Sequence, residues 1–191
     1  MKPPENPVRG FTNQEFSERT TAAQTMMAAQ GLDALLVCTE PEVRYFTGFH
    51  TPFWQSPTRP WFVVLPATGK PIAVIPGIGG ASMAATWVDD IRTWPAPQPN
   101  DDGVSLLVEC LRETAGPQGK IGLPMGPETH VRMPLKDFDQ VRAQVGGFID
   151  ATDIFVLSAW LNHQQRLLST SKSVTSFPML LMPSLTCWLP A

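Results

Sequence analysis

The chain has 191 residues and a net charge of −3, which leaves no basic footprint for nucleic acid. A hydrophobic content of 43% suits a globular protein with one sizeable core, and 20 prolines predict sharply punctuated turns. Cys38, Cys110 and Cys187 are odd in number, far apart and without a C-x-x-C pair, so a disulfide framework or a zinc knuckle is not expected.

Residues 1–10 are expected to be disordered, and "MKPPENPVRGF" has no apolar core to serve as a secretory leader. No run is long enough for a membrane span, so a cytoplasmic domain is the expectation. Thr12 and Glu15 form a T-x-x-E capping box. Phe16, Thr20, Ala23, Met27 and Gln30 then follow one helical face, with Met26 beside them. Gly31 stands where a left-handed cap ends that helix. Ala34 to Cys38 reads as a buried strand, and "PEVRYFTG" as a short helix from Pro41 to Gly48. A proline-rich loop, His50 to Pro60, leads into the strand "WFVVLP". "ATGK" turns it into a second strand, Ile72 to Ile75.

"GIGGASMAATW" predicts a short helix after a glycine turn, and "VDDIRTWP" a strand ending at Pro95. Val104 to Thr114 is a helix stopped by Gly116, "KIGLP" a strand, "PLKDFDQVRAQV" a helix and "GGFIDAT" a last strand. Alternating strands and helices give α/β, with a mixed sheet because two strands meet through a tight turn.

Most familiar chemistry is excluded by spacing. "PGIGGAS" follows a strand but lacks both the G-x-G-x-x-G pattern and the Lys-Ser/Thr of a phosphate loop, so its glycines read as turn chemistry. A nucleotide-binding domain resting on it is the weakest alternative. His50, His130 and His163 are scattered, and the members of Asp89–Asp90 point to opposite faces of a strand, so no protein-only metal site is expected. Asp101–Asp102 sits where helix-start acids belong. Cys38, at a strand end, reads as a small buried hydrophobe.

The loop "GFHTPFWQSPTRPW" is different in kind. Its prolines stiffen it, while His50, Phe53, Trp54, Arg59 and Trp61 give it aromatic surface and a cation. Such a loop can grip a small anion or a peptide end, or dock on another subunit. It can equally pack its aromatics back onto its own domain. Both readings stand at this point.

"GLDALLV", "PEVRYFTGF" and "RPWFVVLP" followed by "GKPIAVIP", in this order and spacing, resemble the N-terminal domain of the creatinase, prolidase and Xaa-Pro aminopeptidase family. The resemblance covers residues 11–154 and implies a ribonuclease-H-like mixed sheet flanked by helices. It also implies a domain that is not itself catalytic. In the family this domain makes homodimer contacts and leans over the active site of a C-terminal domain that usually holds two divalent metals, such as Mn, Co or Zn. No cofactor is expected in this chain. The loop after "TGF" reaches an active site, often the partner's, which makes His50, Phe53, Trp54 and Arg59 the candidate contacts. A stand-alone binding or dimerisation module using loop 50–61 is the alternative.

Residues 155–191 depart from the family. After Asp153 the chain has no Asp or Glu, although it carries 17 acids before that point. The codons permitted by Ser158 to Leu168, read one base out of register behind Leu157, can spell LRMVKSPAEIA. That phrase resembles the family's linker into its catalytic domain. The tail is therefore expected to be a frameshift product, the catalytic domain to be missing, and the chain to be inactive.

Overall fold

A computed structural model describes residues 11–56 and 59–156. The tail expectation for 155–191 falls almost wholly outside them, as does the one for residues 1–10.

Helix α1, Asn13–Gln30, starts at the predicted box. The Thr12 hydroxyl accepts from the Glu15 N–H, and the Glu15 carboxylate accepts from the Thr12 N–H at 2.6 Å. Gly31 ends it at φ 63°. Phe16, Thr20, Ala23 and Met27 are buried as expected, but Gln30 is exposed and Arg19 is buried instead. Strand β1, Ala34–Val37, leads to α2, Glu40–Thr47, which stops at Gly48 with φ 75°. A Cβ at Gly48 would lie 2.7 Å from the Phe16 ring, so glycine serves both the turn and the approach of α1. The last carbonyls of α2 are taken up by distant side chains: Tyr45 accepts from Arg19 Nη1 and Phe46 from Trp87 Nε1.

After a single 3-10 turn at Pro52–Gln55 come β2, Phe62–Pro66, and β3, Ile72–Pro76. A second 3-10 turn, Gly77–Gly79, runs into α3, Gly80–Ala84. This helix stops well short of Trp87, whose indole is committed to α2. Then follow β4, Asp90–Trp94; α4, Val104–Ala115; β5, Ile121–Leu123; α5, Leu135–Arg142; and β6, Phe148–Asp150. Helix α5 is shorter than its pattern suggested. Beyond Asp150 the expected strand gives way to helical backbone over 152–156.

The strands form one mixed six-stranded sheet in the order β4-β3-β2-β1-β5-β6. Pairs β1–β2 and β2–β3 are antiparallel; β3–β4, β1–β5 and β5–β6 are parallel. Central strands are covered on both faces, so they read as continuous apolar runs. Their residues still alternate. Leu35, Val37, Val63, Leu65, Ala73 and Ile75 meet α1, α2 and α3, while Ala34, Leu36, Cys38, Phe62, Val64 and Val74 meet α4 and α5. The first core is aromatic, with Phe46, Phe49, Trp54, Trp61 and Trp87; the second is mostly aliphatic.

No helix among the described residues is long and apolar enough to cross a membrane.

Candidate functional site

The proline-rich loop leaves α2 at Gly48 and returns at Trp61, the residue before β2. Its aromatics divide. Trp61 is fully buried, with ring centroids 5.2 Å from Phe49 and 5.9 Å from Trp54. Trp54 is 8% exposed and belongs to the same core. Phe53 is 37% exposed, and the Arg59 guanidinium lies 5.3 Å above its ring. Thr51 starts the intervening turn, its hydroxyl accepting from the Phe53 N–H. Inward packing therefore accounts for Trp54 and Trp61, and not for Phe53 and Arg59.

Arg132, on the loop before α5, fastens this segment. Its guanidinium donates to the carbonyls of Trp54, Ser56 and Arg59, and its Cζ lies 5.3 Å over the Trp54 ring. The Arg132 N–H donates to Cys38 Sγ at 3.3 Å. Partial burial lowers the pKa of this guanidinium, opposed by the nearby Cys38 and Glu40. Burial pushes the Cys38 thiol up to about 12, which keeps it a protonated, inert packing group.

Sequence reasoning had no access to Arg132, which is more than 70 residues from each carbonyl it binds. The three prolines of the loop, Pro52, Pro57 and Pro60, signalled stiffness, but not which side chain would hold it.

The candidate residues do not converge on one cavity. His50 is exposed in a cleft of about 440 Å³ with Arg44, Gly48 and Trp87. Arg59 lines a separate cleft of about 470 Å³ with Pro60, His130, Arg132 and Met133. "PGIGGAS" has its own role. A Cβ on Gly79 would lie 2.3 Å from the Trp61 ring, so this glycine lets the aromatic core close beneath the loop. The acid pairs are also accounted for. Asp89 pairs with Lys70 at 2.7 Å and Asp90 with Arg92 at 3.1 Å. Asp101 accepts from the Ser105 N–H in the first turn of α4, and Asp102 from Trp94 Nε1. Among the described residues no group of three or more His, Cys, Asp or Glu side chains is placed to hold a metal ion.

The family model for the Creatinase/Prolidase N-terminal domain matches residues 19–157. No curated protein sequence matches the chain. Among solved structures, the dipeptidase PepE from Mycobacterium ulcerans is 22% identical with a TM-score of 0.59, over 77% of this chain and 37% of that one. The prolidase from Thermococcus sibiricus is 16% identical with a TM-score of 0.59, over 76% and 36%. The Creatinase/Prolidase N-terminal domain of an X-Pro dipeptidase from Streptococcus pyogenes is 13% identical with a TM-score of 0.55, over 72% and 95%. The chain thus spans little more than a third of the first two proteins, but nearly all of the third, which is an isolated domain. At these identities the structures establish the fold alone. The family match spans most of the chain, and with it this chain belongs to the creatinase/prolidase N-terminal domain family.

Proposed function

We propose that residues 11–154 are the non-catalytic, active-site-capping and dimerising unit of an Xaa-Pro peptidase-like metallohydrolase. The observation that carries this reading is the division of the proline-rich loop. Two of its aromatics are spent on the core, and Arg132 pins its backbone, while Phe53 and Arg59 are held outward as a stacked aromatic–cation pair. A fixed pair of this kind suits a short peptide or a carboxylate presented from a neighbouring polypeptide. His50 would contribute from its own, separate cleft, and Trp54 from the core beneath, where it packs on Trp61 and Arg132.

The divalent metals of such a hydrolase would activate water and polarise the scissile carbonyl from outside the described residues. Among the described residues no group of His, Cys, Asp or Glu side chains is placed for that task. The linker-like phrase that the codons of Ser158 to Leu168 can spell one base out of register supports this reading.

The test is to restore that frame in the coding DNA. The longer product is expected to hydrolyse Xaa-Pro dipeptides when supplied with Mn²⁺ or Co²⁺, and Phe53→Ala with Arg59→Gln to raise its KM. A frame without downstream His, Asp and Glu metal ligands, or an unchanged KM, contradicts the proposal.

A further inference from the structure

Strand β4 ends the sheet on one side and β6 on the other. Only three residues long, β6 can offer a partner few hydrogen bonds, whereas β4 runs for five, Asp90–Trp94. One side of β4 pairs with β3, and among the described residues its backbone makes no other hydrogen bond. Its outward N–H and C=O groups are therefore a row of open donors and acceptors, a template for a further strand. No proline or glycine interrupts the row. Helix α3 packs beside β4, and its exposed residues are Ala81, Ser82 and Ala84, which add no bulk there.

Charge decides what that strand can be. Ala73 and Ile75 face α1, α2 and α3, so their β4 neighbours Ile91 and Thr93 share that face. Asp90, Arg92 and Trp94 take the other, toward α4. There Asp90 lies 3.1 Å from Arg92, whose guanidinium also meets Glu113 of α4 at 2.6 Å. Both pairs stay within the strand and its covering helix, and neither occupies the backbone of the edge.

A second copy brought up antiparallel is related by a twofold axis normal to the sheet, which keeps each face on its own side. Residues directly opposite one another share a face, so the axis falls on a residue and not between two. An axis at Asp90 sets two carboxylates together, and one at Arg92 sets two guanidinium groups together. Axes at Thr93 or Trp94 leave both charges without a charged neighbour. The axis at Ile91 alone sets Asp90 of each copy against Arg92 of the other, while the two Ile91 side chains meet on the opposite face. Asp-Ile-Arg is thus complementary to its own reverse.

We propose that β4 is a self-pairing edge, at which a second copy of this chain adds its own β4 antiparallel, centred on Ile91, so that two six-stranded sheets become one. The inference rests on the dimerising role proposed above and names the surface for it. It needs neither the proline-rich loop nor catalysis.

The test measures the dimer Kd of the full 191-residue chain by sedimentation velocity over a range of concentrations. Asp90→Arg and Arg92→Asp each set like charges opposite one another on both sides of the axis, and each is expected to raise the Kd by about tenfold or more. Mixed in equal amounts, the two variants set the paired cations of one against the paired anions of the other. A heterodimer with a Kd close to that of the unsubstituted chain is then expected. Mixing would not restore a chain that had merely misfolded, so the rescue reports on the edge itself. Ile91→Lys brings two ammonium groups to the axis and is expected to weaken the dimer by a similar factor. A dimer whose Kd is unchanged in every variant, or variants that weaken it without rescue on mixing, overturns the edge and leaves the dimerising role standing. A chain that stays monomeric throughout overturns both.

Discussion

The two faces of the sheet solve the same problem with different materials. Against α4 and α5, Leu107, Val108, Leu111 and Ile121 fill the space with aliphatic side chains that have no polar atoms to satisfy. Against α1, α2 and α3 the core is aromatic and carries polar groups: Trp87 donates to the Phe46 carbonyl and Arg19 to that of Tyr45, while the Thr20 hydroxyl and the Trp54 and Trp61 indole N–H groups are buried without a hydrogen-bond partner among the described residues. The aliphatic face is the simpler store of stability. The aromatic face costs more to satisfy, but Trp61, packed with Phe49 and Trp54, gives the proline-rich loop something to rest on. Arg132, entering beside Val131 and Met133 of the aliphatic side, ties that loop down from the opposite face.

The largest effect should come from removing the ring on which the loop rests. Trp61→Ala is expected to cost about 3–5 kcal/mol in urea unfolding, and to make the loop around Ser56 the first site of proteolytic cleavage. Leu107→Ala on the aliphatic face is expected to cost about 2–5 kcal/mol while leaving the loop as resistant as before. Equal loop cleavage in both variants would break the distinction between the faces. Gly79→Ala forces a methyl group against Trp61, and a loss of about 1–3 kcal/mol is expected, read from the same unfolding curves.

A pH effect belongs mainly to the aliphatic side. Burial raises the thiol of Cys38 to about 12 and that of Cys110 to about 11, above the ordinary value of 9.0. The folded state thus retains protons that the unfolded chain releases. The contribution of these thiols is complete well below pH 9 and is lost as the pH rises through 9 toward about 11 for Cys110 and about 12 for Cys38. The urea midpoint is expected to fall between pH 8.5 and about pH 10.5, and to fall less in Cys38→Ala with Cys110→Ala. The smallest effect is assigned to the exposed Lys70–Asp89 pair, where Asp89→Asn should change stability by less than about 0.5 kcal/mol.

What the sequence disclosed follows the same division. Local signals were plain: the Thr12–Glu15 box, the glycine stops at Gly31 and Gly48, and the apolar strands around "ATGK". The family resemblance carried the sheet and its flanking helices. Less visible was the face of α1, because a buried Arg19 looks polar until Tyr45 and the ring of Phe11, 3.7 Å from its Cζ, surround it. The site was legible only in part. Proline spacing marked the loop as stiff, and composition marked it as aromatic, but its inward and outward residues are sorted by Phe49, Gly79 and Arg132, all outside the loop's central stretch. Such sorting depends on contacts across the fold, which no local pattern encodes.

The central proposal is that this domain presents a loop and leaves hydrolysis to other parts of such an enzyme. Its most direct test is an assay of the purified 191-residue chain with Mn²⁺ or Co²⁺ on an Xaa-Pro dipeptide. Release of proline at the rate of the protein-free control is the predicted result. Metal-dependent turnover that follows the protein through repeated purification would contradict it.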